Sequence, residues 1–109
     1  MDSIGRVTPA TARVLEVLLD AKAPIWGLLV VKGTGKKAGT VYPILDKLES
    51  AGWVTSQWEE STERKGPRRR YYRIEPSAHA VALDYVRTQQ RREATAHSAS
   101  PSAANWRSA

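Results

Sequence analysis

The chain has 109 residues, a net charge of +6, 41% hydrophobic residues and no cysteine. That length and apolar content suit one small globular domain, and the missing cysteine excludes disulfide scaffolds, thiol catalysis and cysteine-based zinc sites. A basic domain invites a polyanionic partner, nucleic acid foremost, while the longest apolar run, "APIWGLLVV" at 23–31, is about half of what a membrane span needs.

The first element in chain order is a helix. Thr8 suits its N-cap and Pro9 its first position, where a missing N–H costs nothing. Val14, Leu15, Leu18 and Leu19 recur at helical spacing. "DAKAP" at 20–24 ends the pattern, because a residue before proline avoids helical geometry. A short second helix is expected from about Ile25 to Lys32, "IWGLLVVK". Gly27 weakens it by up to about 1 kcal/mol relative to alanine, and Val30 and Val31 also permit a strand. "KGTGKK" then reads as a helix stop and turn.

The third helix is expected over roughly Ala38 to Ala51. Val41, Ile44, Leu45 and Leu48 follow the i, i+3, i+4, i+7 pattern, and Gly52 stands where a glycine cap belongs. Pro43 is tolerable only near a helix start, which pins that start between Lys37 and Thr40. The face left over holds Thr40, Tyr42, Pro43, Asp46 and Lys47.

Trp53–Trp58 and Arg68–Ile74 alternate as the two strands of a hairpin with a long charged tip. Arg70, Tyr72 and Ile74 share one face and Arg69, Tyr71 and Arg73 the other. Tyr72 and Ile74 are expected to face the core, and Arg70, nearer the tip, is ambiguous. Pro76 opens a fourth helix expected to reach about Glu93, with an apolar stripe of Ala78, Val81, Ala82, Tyr85 and Val86. The Ala/Ser-rich remainder, 94–109, has the composition of a disordered tail.

Helix, short helix, helix, hairpin and helix is the order of a winged helix-turn-helix, a mainly α fold with a small β-hairpin (α+β). Residues 1–75 would form the DNA-binding unit, and 76–93 a C-terminal dimerisation helix. The third helix would enter the major groove, offering Thr40, Tyr42, Pro43 and Lys47 to base edges. Lys36 and Lys37 would stand beside phosphates. The wing would bring Arg64, Lys65, Arg68, Arg69 and Arg70 to the backbone or minor groove.

Plainer alternatives exist for each of these. Tyr42 could pack on the wing or the second helix, and Pro43 could merely shape the helix start. The wing cations could be a solvated loop neutralised by Glu59, Glu60 and Glu63. Exposed pairs of that kind contribute only about 0–1 kcal/mol each, too little to hold arginines away from phosphates. Trp53, after the helix cap and before a strand, reads as core. His79 and His97 have no second ligand at metal spacing, and "GTGKKAGT" lacks the glycine spacing of a phosphate loop. Neither a cofactor nor an enzyme activity is expected.

"AGTVYPILDKLESAGWV" followed by "GPRRRYYRI" resembles the PadR family of bacterial transcriptional regulators. Gly39, Thr40, Tyr42, Pro43, Leu45, Leu48, Glu49, Gly52, Tyr71 and Tyr72 carry the likeness, which covers about residues 10–90. "PIWGLLV" is similar to the stretch that opens the family's second helix. The chain departs from the pattern at Glu75-Pro76-Ser77-Ala78, where the family has Thr and later Gly, and at Gly27-Leu28, where Gly-Tyr is common.

The stripe on the fourth helix is more apolar surface than a small domain leaves exposed. A homodimer packed through Ala78, Val81, Ala82, Tyr85 and Val86 is therefore expected, presenting two third helices to a pseudo-palindromic operator on double-stranded DNA. Such a protein would be a cytoplasmic, nucleoid-associated repressor that occludes a promoter. The resemblance also implies a small-molecule effector near the dimer interface, for which Trp26, Tyr85 and Trp106 are candidates. Two rival readings are a winged-helix module that binds a partner protein and a nonspecific architectural DNA binder. With no signal-peptide core in Met1–Val7, a soluble protein is expected.

Overall fold

Thr8 caps the first helix as its sequence requires: the side chain accepts from the Thr11 N–H, and Pro9 holds the first helical position. In the computed structural model, which describes residues 2–60 and 65–98, α1 (Pro9–Asp20) is followed by β1 (Ile25–Trp26) and α2 (Gly27–Thr34). The chain continues through α3 (Ala38–Ser50), β2 (Val54–Trp58), β3 (Arg70–Ile74), a 3-10 turn (Pro76–Ala78) and α4 (His79–Ser98). The three strands form one antiparallel sheet in the order β1-β3-β2.

The second helix begins later than its sequence pattern suggests. Ile25 and Trp26 pair with Tyr72 and Tyr71 along the free edge of β3, so the expected two-stranded hairpin is a three-stranded sheet. Helix α2 then starts at Gly27, where a side chain has no room: a Cβ would lie 3.1 Å from the rings of both Tyr42 and Tyr72. Gly35, with φ of 72°, ends α2 in the left-handed region that only glycine adopts cheaply.

Helix α3 ends in a Schellman turn. Gly52 takes φ of 84°, its N–H donates to the Glu49 carbonyl at 3.1 Å, and the Trp53 N–H reaches the Leu48 carbonyl at 2.9 Å. That reversal delivers Trp53 into the core, where it is buried and donates its indole N–H to the Asp2 carbonyl at 2.7 Å. Pro43 is the sixth residue of α3, not part of its first turn. Having no N–H, it leaves the Gly39 carbonyl without its helical donor, on a face open to solvent.

Val14, Leu15, Leu18, Val30, Val41, Leu45, Leu48, Val54 and Tyr72 form one core between the helices and the inner face of the sheet. Helix α4 closes it. Here the expectation of an exposed dimerisation stripe fails: Ala78, Ala82, Tyr85 and Val86 are buried within the chain itself, and Val81 is half-buried against the same core. The stripe packs on α1 and the N-terminal segment, whose Ile4 is also buried. Helical periodicity marks a face to be covered without saying by which chain. The helix also runs past Glu93 to Ser98, so 94–98 do not belong to a tail, while 99–109 lie outside the described residues. No helix among the described residues is long and apolar enough to cross a membrane.

Tyr85 ties α4 to the start of α1. Its hydroxyl accepts from the Thr8 N–H at 2.9 Å and donates to the Arg6 carbonyl at 3.1 Å, while its ring meets Trp53 edge-on. Tyr85→Phe keeps the ring and orphans both backbone groups, so it is expected to lower stability by about 1–2 kcal/mol. Urea denaturation measures the loss, and an unchanged midpoint would contradict this assignment.

Candidate nucleic-acid interface

Helix α3 divides cleanly. Val41, Leu45 and Leu48 are buried, whereas Thr40, Tyr42, Pro43, Asp46 and Lys47 all face solvent. Lys36 and Lys37, in the turn before it, are exposed as well. Lys37 is the N-cap residue but makes no side-chain cap, which leaves the first N–H groups of α3 open to an outside acceptor such as an anion. Tyr42 packs as its plainer alternative has it, and it is also partly open to solvent. Its ring packs over the Gly27 backbone and beside Tyr72, yet it remains 37% exposed.

The wing cations separate by strand face. Pairing Ser56 with Tyr72 and Trp58 with Arg70 puts these four side chains on the inner face of the sheet, toward α3. Arg70 is engaged there: its guanidinium donates to Glu49 Oε1 at 2.8 Å and to Ser56 Oγ at 2.9 Å. Ser56 in turn donates to Glu49 Oε2. The same guanidinium lies between two rings, 5.4 Å from the Trp58 centroid and 5.5 Å from that of Tyr72. Burial raises the Tyr72 phenol above its usual value near 10.0, and the Arg70 cation pulls the other way.

Arg69 points to the opposite face and stacks on Trp26, 4.0 Å from the ring centroid. Its Nε is shielded from solvent and finds no hydrogen-bond partner among the described residues. Arg69 and Arg70, both expected on DNA, thus each have a partner within the chain. Lys65 and Arg68 are exposed, and Arg64 lies outside the described residues. Of the cations expected on DNA, Lys36, Lys37, Lys47, Lys65 and Arg68 are the exposed ones among the described residues.

Tyr42 and Asp46 of α3 face Trp58, Arg68 and Arg70 of the wing across a cleft of about 370 Å³, with Trp26, Gly27 and Tyr72 completing its walls. The exposed face of α3 and the wing thus open on one side of the molecule. Sequence reasoning missed Glu49 as the partner of Arg70, Trp26 as the partner of Arg69, and the 54% exposed Trp58. The first two pairings join distant residues and leave no local pattern; Trp58 was visible only as the last residue of an alternating strand. The candidate effector residues do not come together: Trp26 lines this cleft, Tyr85 lines another beside Ile4 and Trp53, and Trp106 is outside the described residues. No group of three potential metal ligands occurs among the described residues.

A family model described as the transcriptional regulator PadR-like family matches residues 14–82. Among solved structures, the circadian clock associated protein Pex from Anabaena is 22% identical, with 81% of this chain and 80% of that one covered and a TM-score of 0.62. A PadR-like transcription factor from Bacteroides fragilis is 21% identical, covering 83% and 88% at a TM-score of 0.60. A PadR family transcription regulator from Clostridium difficile is 19% identical, covering 84% and 93% at 0.59. At these identities the structures establish a shared winged-helix fold. Comparison with curated proteins gives no match.

The Glu49–Arg70 pair is about one-third exposed on both sides, so it is screened but braced by Ser56 and two rings. A double-mutant cycle with Glu49→Ala and Arg70→Ala is expected to give a coupling energy of about 1 kcal/mol in chemical denaturation. A coupling near zero would mean that the pair does not hold the wing to α3.

Proposed function

The chain belongs to the PadR-like family of transcriptional regulators, and from that premise we propose that it binds double-stranded DNA sequence-specifically, as a homodimeric repressor that occludes a promoter. The observation that carries this reading is the solvent-facing side of α3. Thr40, Tyr42, Pro43 and Lys47 are exposed together, with Lys36, Lys37 and Arg68 on the flanks. A major groove about 12 Å wide admits a helix presenting such a face. The flanking cations suit phosphates, which position the protein while base edges specify the site. Asp46, in the same row, would be repelled by phosphate and fits instead a base edge that donates, such as the cytosine amino group.

The dimer rests on α4. Beyond Gln89, residues 90–96 are exposed on every side, although isolated helices of that length are marginal in water. A second α4 packed along this segment would cover it and generate a twofold axis. The buried residues of the stripe are not part of such an interface. Two recognition helices then meet half-sites about one helical turn, or about 34 Å, apart. A cytoplasmic, nucleoid-associated location goes with this reading.

Selecting duplexes from a random pool should enrich sites with two related, inverted half-sites at that spacing. Thr40→Ala and Tyr42→Ala are expected to relax the preference at one or two positions within each half-site, each at a cost of about 1–3 kcal/mol of discrimination. Duplex affinity that enriches no motif would instead indicate a nonspecific architectural binder. Absence of duplex binding at low salt would remove the reading and leave the partner-protein alternative.

A further inference from the structure

A single exposed tryptophan is ordinary on a protein surface; what singles out Trp58 is the company it keeps in the cleft between α3 and the wing. Val54, Ser56 and Trp58 share the inner face of β2 and step from buried through half-buried to exposed as the strand leaves the body of the domain. Trp58 ends the series at 54% exposure. It nonetheless has a defined position, paired with Arg70 across the ladder and lying 5.4 Å from its guanidinium. Its indole N–H, which can only donate, has no partner among the described residues.

The surroundings identify what would take that donor. Trp58 shares the 370 Å³ cleft with Tyr42 and Asp46 of α3 and with Arg68 of the wing. Arg70 is neutralised by Glu49 in the same place, so Arg68 is the cation of the cleft without an ion pair among the described residues. An anion in the cleft is drawn toward Arg68 and Trp58 and away from Asp46. A nucleic-acid strand running along the edge of the groove occupied by α3 supplies such an anion at each phosphate, next to a sugar whose apolar edge fits an aromatic face.

We propose that Trp58 contacts DNA: its indole ring lies against a deoxyribose of the strand passing between α3 and the wing, and its N–H donates to an adjacent phosphate oxygen. The proposal rests on the DNA-binding reading above and adds to it an uncharged anchor at the outer end of the wing's paired strands. Such an anchor has a signature that the lysines and arginines lack. Each cation placed on a phosphate releases counterions and contributes about 0.9 to the slope of log K against log salt, whereas a neutral contact contributes affinity and no slope.

The test measures binding of the full chain to a duplex selected as its operator, over a range of salt, for wild type, Trp58→Phe, Trp58→Ala and Lys37→Ala. Thermal unfolding of each variant shows that an exposed position has been changed without loss of fold. Trp58→Phe, keeping a ring but no N–H, is expected to weaken binding about threefold. Trp58→Ala is expected to weaken it about tenfold. Both should keep the wild-type slope, while Lys37→Ala lowers the slope by about 0.9. The change in intrinsic fluorescence on operator binding should shrink in Trp58→Phe, which a merely structural tryptophan would not cause. Wild-type affinity in Trp58→Ala, or a slope reduced as in Lys37→Ala, would overturn the contact and leave the DNA-binding reading standing. If wild type itself selects no operator, that reading fails and the contact with it.

Discussion

The guanidinium of Arg70 occupies the joint between α3 and the wing, donating to Glu49 on α3 and to Ser56 on β2 and lying over the rings of Trp58 and Tyr72. The placement of the wing against α3 depends on that joint. Glu49 stands on the last turn of α3, immediately before the Schellman reversal at Gly52, so the pair links the end of the helix to the strands that follow it. The link is charged and only partly covered, so its contribution to stability is modest. What it supplies is direction. A planar guanidinium bonded to two acceptors, with two rings nearby, admits few orientations of the wing.

The same residue explains why counting cations misleads. Arg68, Arg69 and Arg70 are adjacent and chemically identical, yet strand geometry sends Arg69 and Arg70 to opposite faces of the sheet. One stacks on Trp26 and steadies the two-residue edge strand; the other holds α3. Only Arg68 of the three faces outward. The share of the charge run that faces outward is therefore smaller than its count suggests.

Much of this was legible in the chain. The apolar spacing of Val41, Leu45 and Leu48, with Gly52 behind them, locates α3 and its exposed face, because helical periodicity and a left-handed cap are both local signals. Alternation of Tyr72 and Ile74 with Tyr71 and Arg73 likewise sorts β3 correctly. Strand β1 escaped because two residues carry no period, and its partner lies more than forty positions away. The stripe on α4 was legible as a face in need of cover, but its cover turned out to be α1 and the N-terminal segment. Those elements are of the same chain, and composition cannot distinguish them from a second copy. The Arg70 joint was beyond sequence reasoning for a similar reason, since Glu49, Ser56 and Arg70 meet only once the helix has turned and the sheet has paired.

The division of the wing arginines into structural and DNA-facing members is the central claim, and the salt dependence of operator binding tests it most directly. Arg68→Ala and Arg70→Ala should be compared on one operator. Loss of Arg68 is predicted to lower the slope of log K against log salt by about 0.9, as one phosphate contact requires. Loss of Arg70 is predicted to weaken binding through a loosened wing while leaving the slope unchanged. A slope that falls equally in both variants would place Arg70 on the DNA and contradict the account.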